Sequence, residues 1–284
     1  MSVAIIIPTL LSDFDMLQAC LESLAALKKP PEFSVYVMAN TSQDTLTQFE
    51  NTLPQKLSEK LDIKFFSLGQ NTGFTGAANA GITASTEDLV ILLNDDTTVD
   101  PNWLTELVAT HSTTGADMIA STIYLGNKTT LDSQGFTFRW RGQALTLPFT
   151  DTASDNWKNH PDLLSRTNAR EPFGPDAAAA LYTRQLLQDL RGFRPSFFAY
   201  LEDVDLSLRA RRVGFTCALA ENAIVFHHKH ATSSGFSGFK ARQDFRNWWR
   251  IVLGSYPLKA WTRFAPRILL ERAKNLSGMI KAWK

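Results

Sequence analysis

Three segments crowd oxygen- and nitrogen-bearing side chains together: Asn94-Asp95-Asp96, Glu202-Asp203 and His227-His228-Lys229-His230. The first follows the apolar run Leu89 to Leu93, and oxygen side chains at a strand exit suit a hard divalent cation shared with a diphosphate. The same residues also suit a turn and the cap of a helix starting near Pro101. Glu202-Asp203 follows Phe197-Phe198-Ala199-Tyr200-Leu201 and opens a helix whose far end carries Arg209, Arg211 and Arg212. Such a charge order satisfies the helix dipole by itself. Equally, a carboxylate beside aromatics in a cleft can take a proton from a sugar hydroxyl, with Asp203 as base and Glu202 as its orienting neighbour. The histidines end a strand, where an imidazole either packs or reaches a metal or phosphate oxygen. Asn71 to Phe74 and Gly76 to Asn79 place amides and small residues at a helix start, a nest for a nucleotide phosphate or ribose, or a plain N-cap.

These residues need elements to hold them. Val3 to Pro8 is a β-branched run too short for a helix and typical of a strand buried on both faces. Apolar positions at Phe14, Leu17, Cys20, Leu21, Leu24 and Leu27 predict a helix over 13–28, stopped by Pro30-Pro31. The pattern then predicts a strand over 33–38, a helix over 43–60, a strand over 63–68, a helix over 75–84 and a strand over 89–93. Alternation of this kind implies βαβ units and a doubly wound sheet, whose ligand crevice lies beyond the carboxyl ends of its strands. There stand Pro8-Thr9, Asn40-Thr41-Ser42, Gly69 to Gly73 and Asn94 to Thr97. Further on, a strand is expected over 117–124, a hairpin-like stretch over 131–145, a mobile polar loop over 150–170, helices over 177–190 and 204–213, and a strand over 218–226.

Neither a G-x-G-x-x-G loop after the first strand nor a G-x-x-x-x-G-K-[ST] motif occurs, which removes nicotinamide dehydrogenases and P-loop kinases. The 284 residues are 44% hydrophobic and 20% charged, ordinary globular values, with a net charge of +1. That charge is unevenly spread: from Lys240 onward eleven Lys and Arg face two acids, so a tail of about +9 extends a body of about −8. Two isolated cysteines, Cys20 and Cys217, suit a reducing compartment, and no signal-like or membrane-spanning run is evident.

Four blocks together resemble family two glycosyltransferases of the GT-A fold, in the bacterial surface-polysaccharide and rhamnosyltransferase-like branch. They are IIIPT at 5–9, NTGFTGAANAGI at 71–82, LLNDDTTVDPNWL at 92–104, and GPDAAAALYTR with GFRPSFFAYLEDVDLSLRARRVGF across 174–215. The resemblance spans residues 3–235 and implies a mostly parallel, Rossmann-like α/β sheet flanked by helices. It divides the chain into a nucleotide-sugar half (1–115), an acceptor half (116–235) and a basic, Trp-rich helical extension (236–284). It implies inverting transfer from a UDP- or dTDP-linked sugar to a hydroxyl of a glycan, lipid-linked in this branch. Pro8, Thr9, Asn40, Asn71, Gly73, Asn79, Asn94 and Asp95 fall at donor positions, and Asp176 and Tyr200 on the acceptor side. Asp96 and His227 would hold Mg2+ or Mn2+, and Asp203 with Glu202 would serve the acceptor hydroxyl.

Two departures stand out. Where the family has V-D-N-x-S-x-D, this chain has Met38-Ala39-Asn40-Thr41-Ser42-Gln43-Asp44, so Ala39 cannot accept a hydrogen bond from the nucleobase and Asn40 or Asp44 must substitute. Arg194-Pro195 replaces the usual F-D-E. The alternative to an enzyme is therefore a catalytically silent GT-A domain that binds a glycan or a partner. A sugar-phosphate nucleotidyltransferase would want a glycine-rich basic loop after strand one, which LLSDFD does not supply. In the tail, Trp248, Trp249, Trp261 and Trp283 interleave with Arg and Lys, suiting either an amphipathic helix at an anionic bilayer, with Trp at headgroup level, or a helix packed on the body. No nucleic-acid motif accompanies the patch. The expected location is cytoplasmic, peripheral on the inner membrane if the tail docks there.

Overall fold

The computed structural model describes residues 1–139, 142–147, 172–228 and 237–281. The 150–170 loop, Trp140, Lys229, His230 and Trp283 lie outside the described residues. β1 (Val3–Thr9) is buried throughout because it feeds two cores. Val3, Ile5 and Ile7 pack with Leu17, Leu21 and Leu24 of α1 (Phe14–Ala25), while Ala4 and Ile6 face Ala77 and Ala78 of α4 (Gly73–Ala84). β2 (Phe33–Ala39), β3 (Ile63–Ser67) and β4 (Leu89–Leu93) extend β1 in parallel, with Ile5 opposite both Val35 and Ile91. The single helix expected over 43–60 is two, α2 (Gln43–Thr52) and α3 (Gln55–Lys60). Pro54 divides them, since its ring and missing N–H interrupt a continuous helical ladder.

The sheet runs β3-β2-β1-β4-β10-β6-β11-β5, with β7 paired to β6. Its second half comprises β5 (Thr97–Val99), β6 (Met118–Leu125), β7 (Leu131–Ser133), β10 (Ala179–Thr183) and β11 (Cys217–His227). β6 and β11 are parallel; β10, β5 and β7 run against their neighbours. α5 (Trp103–Thr114) is pinned to β6 by Trp103 Nε1 donating to Ser121 Oγ at 3.0 Å.

One expectation fails clearly. Residues 177–190 form β10 and the short α6 (Arg184–Asp189), not one helix. Alanine's helical advantage is at most about 0.7 kcal/mol per residue. It yields to a strand paired on both edges, Ala180 opposite Leu92 on one side and Ala120 on the other.

The expected hairpin separates into β7 and a two-stranded ribbon, β8 (Phe136–Arg139) and β9 (Gln143–Thr146). A third core joins that ribbon to α7 (Glu202–Arg212), α8 (Ser237–Gly254) and α9 (Leu258–Lys281), through Phe138, Val204, Leu208, Ile251 and Phe264. Of the two arrangements open to the tail tryptophans, Trp248, Trp249 and Trp261 take the one packed on the body. Trp248 is 7% exposed, and Trp249 and Trp261 pack on the same cluster.

Candidate active site

The carboxyl ends of β1, β2 and β4 meet at one edge of the sheet. Asn40 N–H donates to the Thr9 carbonyl at 2.8 Å, and Thr9 Oγ1 donates to Asp95 Oδ2 at 2.5 Å. Burial pushes the Asp95 carboxyl up to about 6 against the Thr9 hydrogen bond, with the Asp96 charge adding to the rise. Asp96 points to β11: its Oδ1 lies 3.1 Å from His227 Nε2, whose Nδ1 lies 3.5 Å from Asp132 Oδ2. Burial opposes a charge on His227, but Asp132 and Asp96 outweigh it and raise the imidazole to about 9. Asp132, on β7, stands in no motif that would single it out.

Asp203 sits in the first turn of α7. Its Oδ1 accepts from Val204 N at 2.7 Å and its Oδ2 from Ala177 N at 3.4 Å. The next residue, Ala178, accepts at its carbonyl from Asn94 N at 2.9 Å. Asp203 and the 94–96 turn are therefore joined through one dipeptide. Asp176 precedes it, and its charge acts on both Asp203 and His227. Burial first, and Asp176 second, raise the Asp203 carboxyl to about 7. Glu202 is raised well above its usual range by burial and by Asp203, and its Oε2 is buried without a hydrogen-bond partner. The α7 N-terminus does not hold these acids at ordinary values, because burial outweighs the dipole.

Tyr200 precedes this pair in a left-handed conformation, φ 69°, with Lys240 Nζ 4.3 Å from its ring centre. On the other side of the loop, Gly73 opens α4 at φ +75° after Asn71 Oδ1 has accepted its N–H at 2.9 Å. A Cβ on Gly73 would overlap the Phe198 carbonyl oxygen, the acceptor of Thr75 N–H at 3.1 Å. Gly73→Ala is expected to cost about 3 kcal/mol from the positive φ and the overlap. Denaturant unfolding measures this, and the 198–201 loop should shift.

Two donor-side amides are engaged within the fold. Asn40 Oδ1 accepts from Thr72 N and Thr72 Oγ1 at 3.0 and 2.7 Å, and its Nδ2 donates to the Gly73 carbonyl at 3.1 Å. Asn79 exchanges both hydrogen bonds with the Phe193 backbone, at 2.7 and 2.9 Å. These amides brace α4 against its surroundings, and each keeps one Nδ2 hydrogen beyond these bonds. Asp44, in the first turn of α2, is exposed. Pro8 and Asn94 stand at their strand ends as expected.

No three Asp, Glu, His or Cys side chains converge as a metal cluster among the described residues. Asp96 Oδ1 is nonetheless buried with no hydrogen bond beyond its 3.1 Å contact with His227 Nε2. One carboxylate and one imidazole fit a divalent cation whose remaining positions come from phosphate oxygens and water.

The α/β sheet with its flanking helices has the GT-A fold, and solved structures share that fold. The S. aureus TarS 1–349 complex with UDP-GlcNAc superposes with a TM-score of 0.63 at 18% identity, covering 94% of this chain and 72% of that one. The mannosyltransferase PcManGT of Pyrobaculum calidifontis, in complex with GDP-Man and Mn2+, gives 0.63 at 12% identity over 99% and 73%. The sequence profile of glycosyl transferase family 2 matches residues 4–190, and the chain belongs to that family. Among curated relatives, the Haloferax volcanii low-salt glycan biosynthesis hexosyltransferase Agl10 is 24% identical over 195 residues, 66% of this chain and 59% of that protein. The O-antigen biosynthesis protein RfbC of Myxococcus xanthus is 26% identical over 236 residues, 77% of this chain but 16% of its own length. The chain thus spans 59% of one relative's length and 16% of the other's.

Proposed function

We propose that the protein transfers a sugar from a nucleoside-diphosphate sugar, UDP- or dTDP-linked, to a hydroxyl of a surface-glycan acceptor, with inversion. Asp203 takes the hydroxyl proton, the freed oxygen forms its bond to the anomeric carbon, and the bond from that carbon to the diphosphate breaks on the opposite face. Burial and the Asp176 charge keep Asp203 basic, Glu202 stands beside it as its orienting neighbour, and Asp176 and Tyr200 border the acceptor. Asp96 and His227 would hold Mg2+ or Mn2+, which when bound offsets charge on the departing diphosphate. Thr9, Asn71, Gly73, Asn94 and Asp95 border the donor.

The observation that carries this reading is the carboxyl of Asp203, elevated to about 7 at the sheet edge and linked through Ala177-Ala178 to the turn that holds Asp96. An elevated carboxylate within one cleft is what proton abstraction near neutral pH requires. A panel of nucleotide sugars with Mg2+ or Mn2+ tests it: one donor should raise the melting temperature and be turned over. A donor that binds without turnover, in the presence of glycan acceptors, would support the silent binding domain instead.

A further inference from the structure

We propose that the outer face of α9 docks the protein on an anionic lipid bilayer, through Leu258, Leu269, Leu276 and Ile280 rather than through the tryptophans. This goes beyond the sugar-transfer reading and does not depend on it. α9 has 24 residues, about 36 Å of helix. Its inner face is committed to the body, where Ala260, Phe264, Ile268 and Arg272 are buried.

The outer face should then be polar, and half of it is not. Leu258 is 78% exposed, Leu269 51%, Leu276 40% and Ile280 51%. At 3.6 residues per turn these four fall within about 40° of one another, forming a single strip along the helix. Leu253, in the last turn of α8, is 71% exposed just before the elbow between the helices. Isolated exposed leucines need no explanation, but a strip aligned along one helix does.

Charge identifies the occupant. Exposed Lys259, Lys274 and Arg267 stand about 100°, 160° and 180° round the helix from Leu258, filling the arc between the leucine strip and buried Ala260. Glu271 is the only acid in α9, and it is half-buried against Lys274 at 3.1 Å. A second copy meeting this face about a two-fold axis would set base against base. A nucleic acid would match the bases and leave the leucine strip in water. An anionic bilayer satisfies both halves, the leucines entering the acyl boundary, Lys259 meeting the headgroups at the edge of the strip, and Lys274 and Arg267 adding longer-range attraction to the negative surface. No helix among the described residues is long and apolar enough to cross a membrane, so the contact lies along the surface.

Flotation of the full chain with phosphatidylcholine vesicles, with and without phosphatidylglycerol, tests the proposal. The protein should float only with the anionic vesicles. Lys259→Glu/Arg267→Glu/Lys274→Glu should weaken partition at least about ten-fold, because each base near the surface contributes to attraction. Leu269→Ser/Leu276→Ser/Ile280→Ser should abolish it. All six sites are exposed, so melting temperatures should stay within a few degrees. A separate reading needs no loss of function: Cys20 and Cys217 are buried, so an environment-sensitive dye can be placed selectively at Leu276→Cys. Its emission should shift blue on anionic vesicles, while the same dye at Ser58→Cys on α3 should not respond. Absence of flotation by the unaltered chain, or equal flotation of all variants, overturns the proposal. So does a dimer in solution that the serine variant dissociates while vesicle binding persists.

Discussion

Asp203→Asn is expected to lower sugar transfer by about 10²–10⁴-fold, the usual range for a lost general base, and to stabilise the protein at alkaline pH. Both effects have the same cause. Burial and the Asp176 charge raise the native carboxyl from 3.8 to about 7, so the folded state favours its protonated form. Stability from this preference is complete below the unfolded value near 3.8 and is lost as pH rises through about 7. Above pH 7 the native protein carries a poorly solvated carboxylate, which asparagine removes while still accepting from Val204 N. The gain at pH 8 should be about 1–3 kcal/mol, reduced from the full linkage value because Asp203 is not wholly shielded from solvent. At pH 4 it should vanish. Paired melts at the two pH values check the sign.

The same cause predicts a pH profile. kcat/KM should rise with pH along a limb centred near 7, and Asp176→Asn, by removing a neighbouring negative charge, should move that limb toward lower pH. Oδ1 of an asparagine at 176 can still accept from Ala178 N, now at 3.0 Å, so the turn should survive. A limb that stays in place would mean that Asp203 is not the group being titrated.

How much of this was written in the sequence depends on what each signal measured. Val3 to Thr9 and Leu89 to Leu93 were legible as buried strands because continuous β-branched and leucine runs require cover on both faces. Asn94 to Asp96, Glu202-Asp203 and His227 were legible as polar residues at element ends, the sites a doubly wound sheet opens to ligands. Ala177 to Thr183 was misread because alanine reports local propensity, and the pairing partners Leu92 and Ala120 lie far along the chain. β5 is three residues long and exists through its pairing with Val225 to His227, which no local pattern encodes. The bracing bonds of Asn40 and Asn79 were not legible, because side-chain chemistry alone does not say that Thr72 and Phe193 lie within reach. The tail's amphipathicity was legible, but its inner face was not, since that depended on where Phe136 and Phe138 lay. Arg194 stood out as a departure, and the structure gives it a task. It pairs with fully buried Asp205 at 2.9 Å and reaches Ser255 Oγ at 2.8 Å, fastening α7 to the end of α8.

Asn247→Ala is expected to reduce kcat by about 10–100-fold with the donor KM nearly unchanged, although α8 lies beyond the family-matched region. Asn247 is fully buried, and its amide nitrogen lies 3.0 Å from the Phe197 carbonyl oxygen, 2.9 Å from that of Ala199 and 2.6 Å from that of Tyr200. Those carbonyls belong to a loop in which Phe198, Tyr200 and Leu201 all hold left-handed conformations, at φ 63°, 69° and 64°. Each such residue costs about 1–3 kcal/mol and persists only when its surroundings enforce it. Gly73 and Thr75 enforce the conformation from the α4 side through the Phe198 carbonyl, and Asn247 enforces it from the other. The loop ends at Leu201, immediately before Glu202 and Asp203, so its relaxation would move the proposed base relative to an acceptor without touching the donor side. Asn247→Asp separates this role from simple packing. It keeps the oxygen that accepts from Arg250 Nη1 at 2.6 Å, yet turns the nitrogen donor into a second acceptor against three carbonyls. The aspartate variant should therefore be less active than the alanine variant, and a near-native aspartate variant would show that the loop holds its shape without α8.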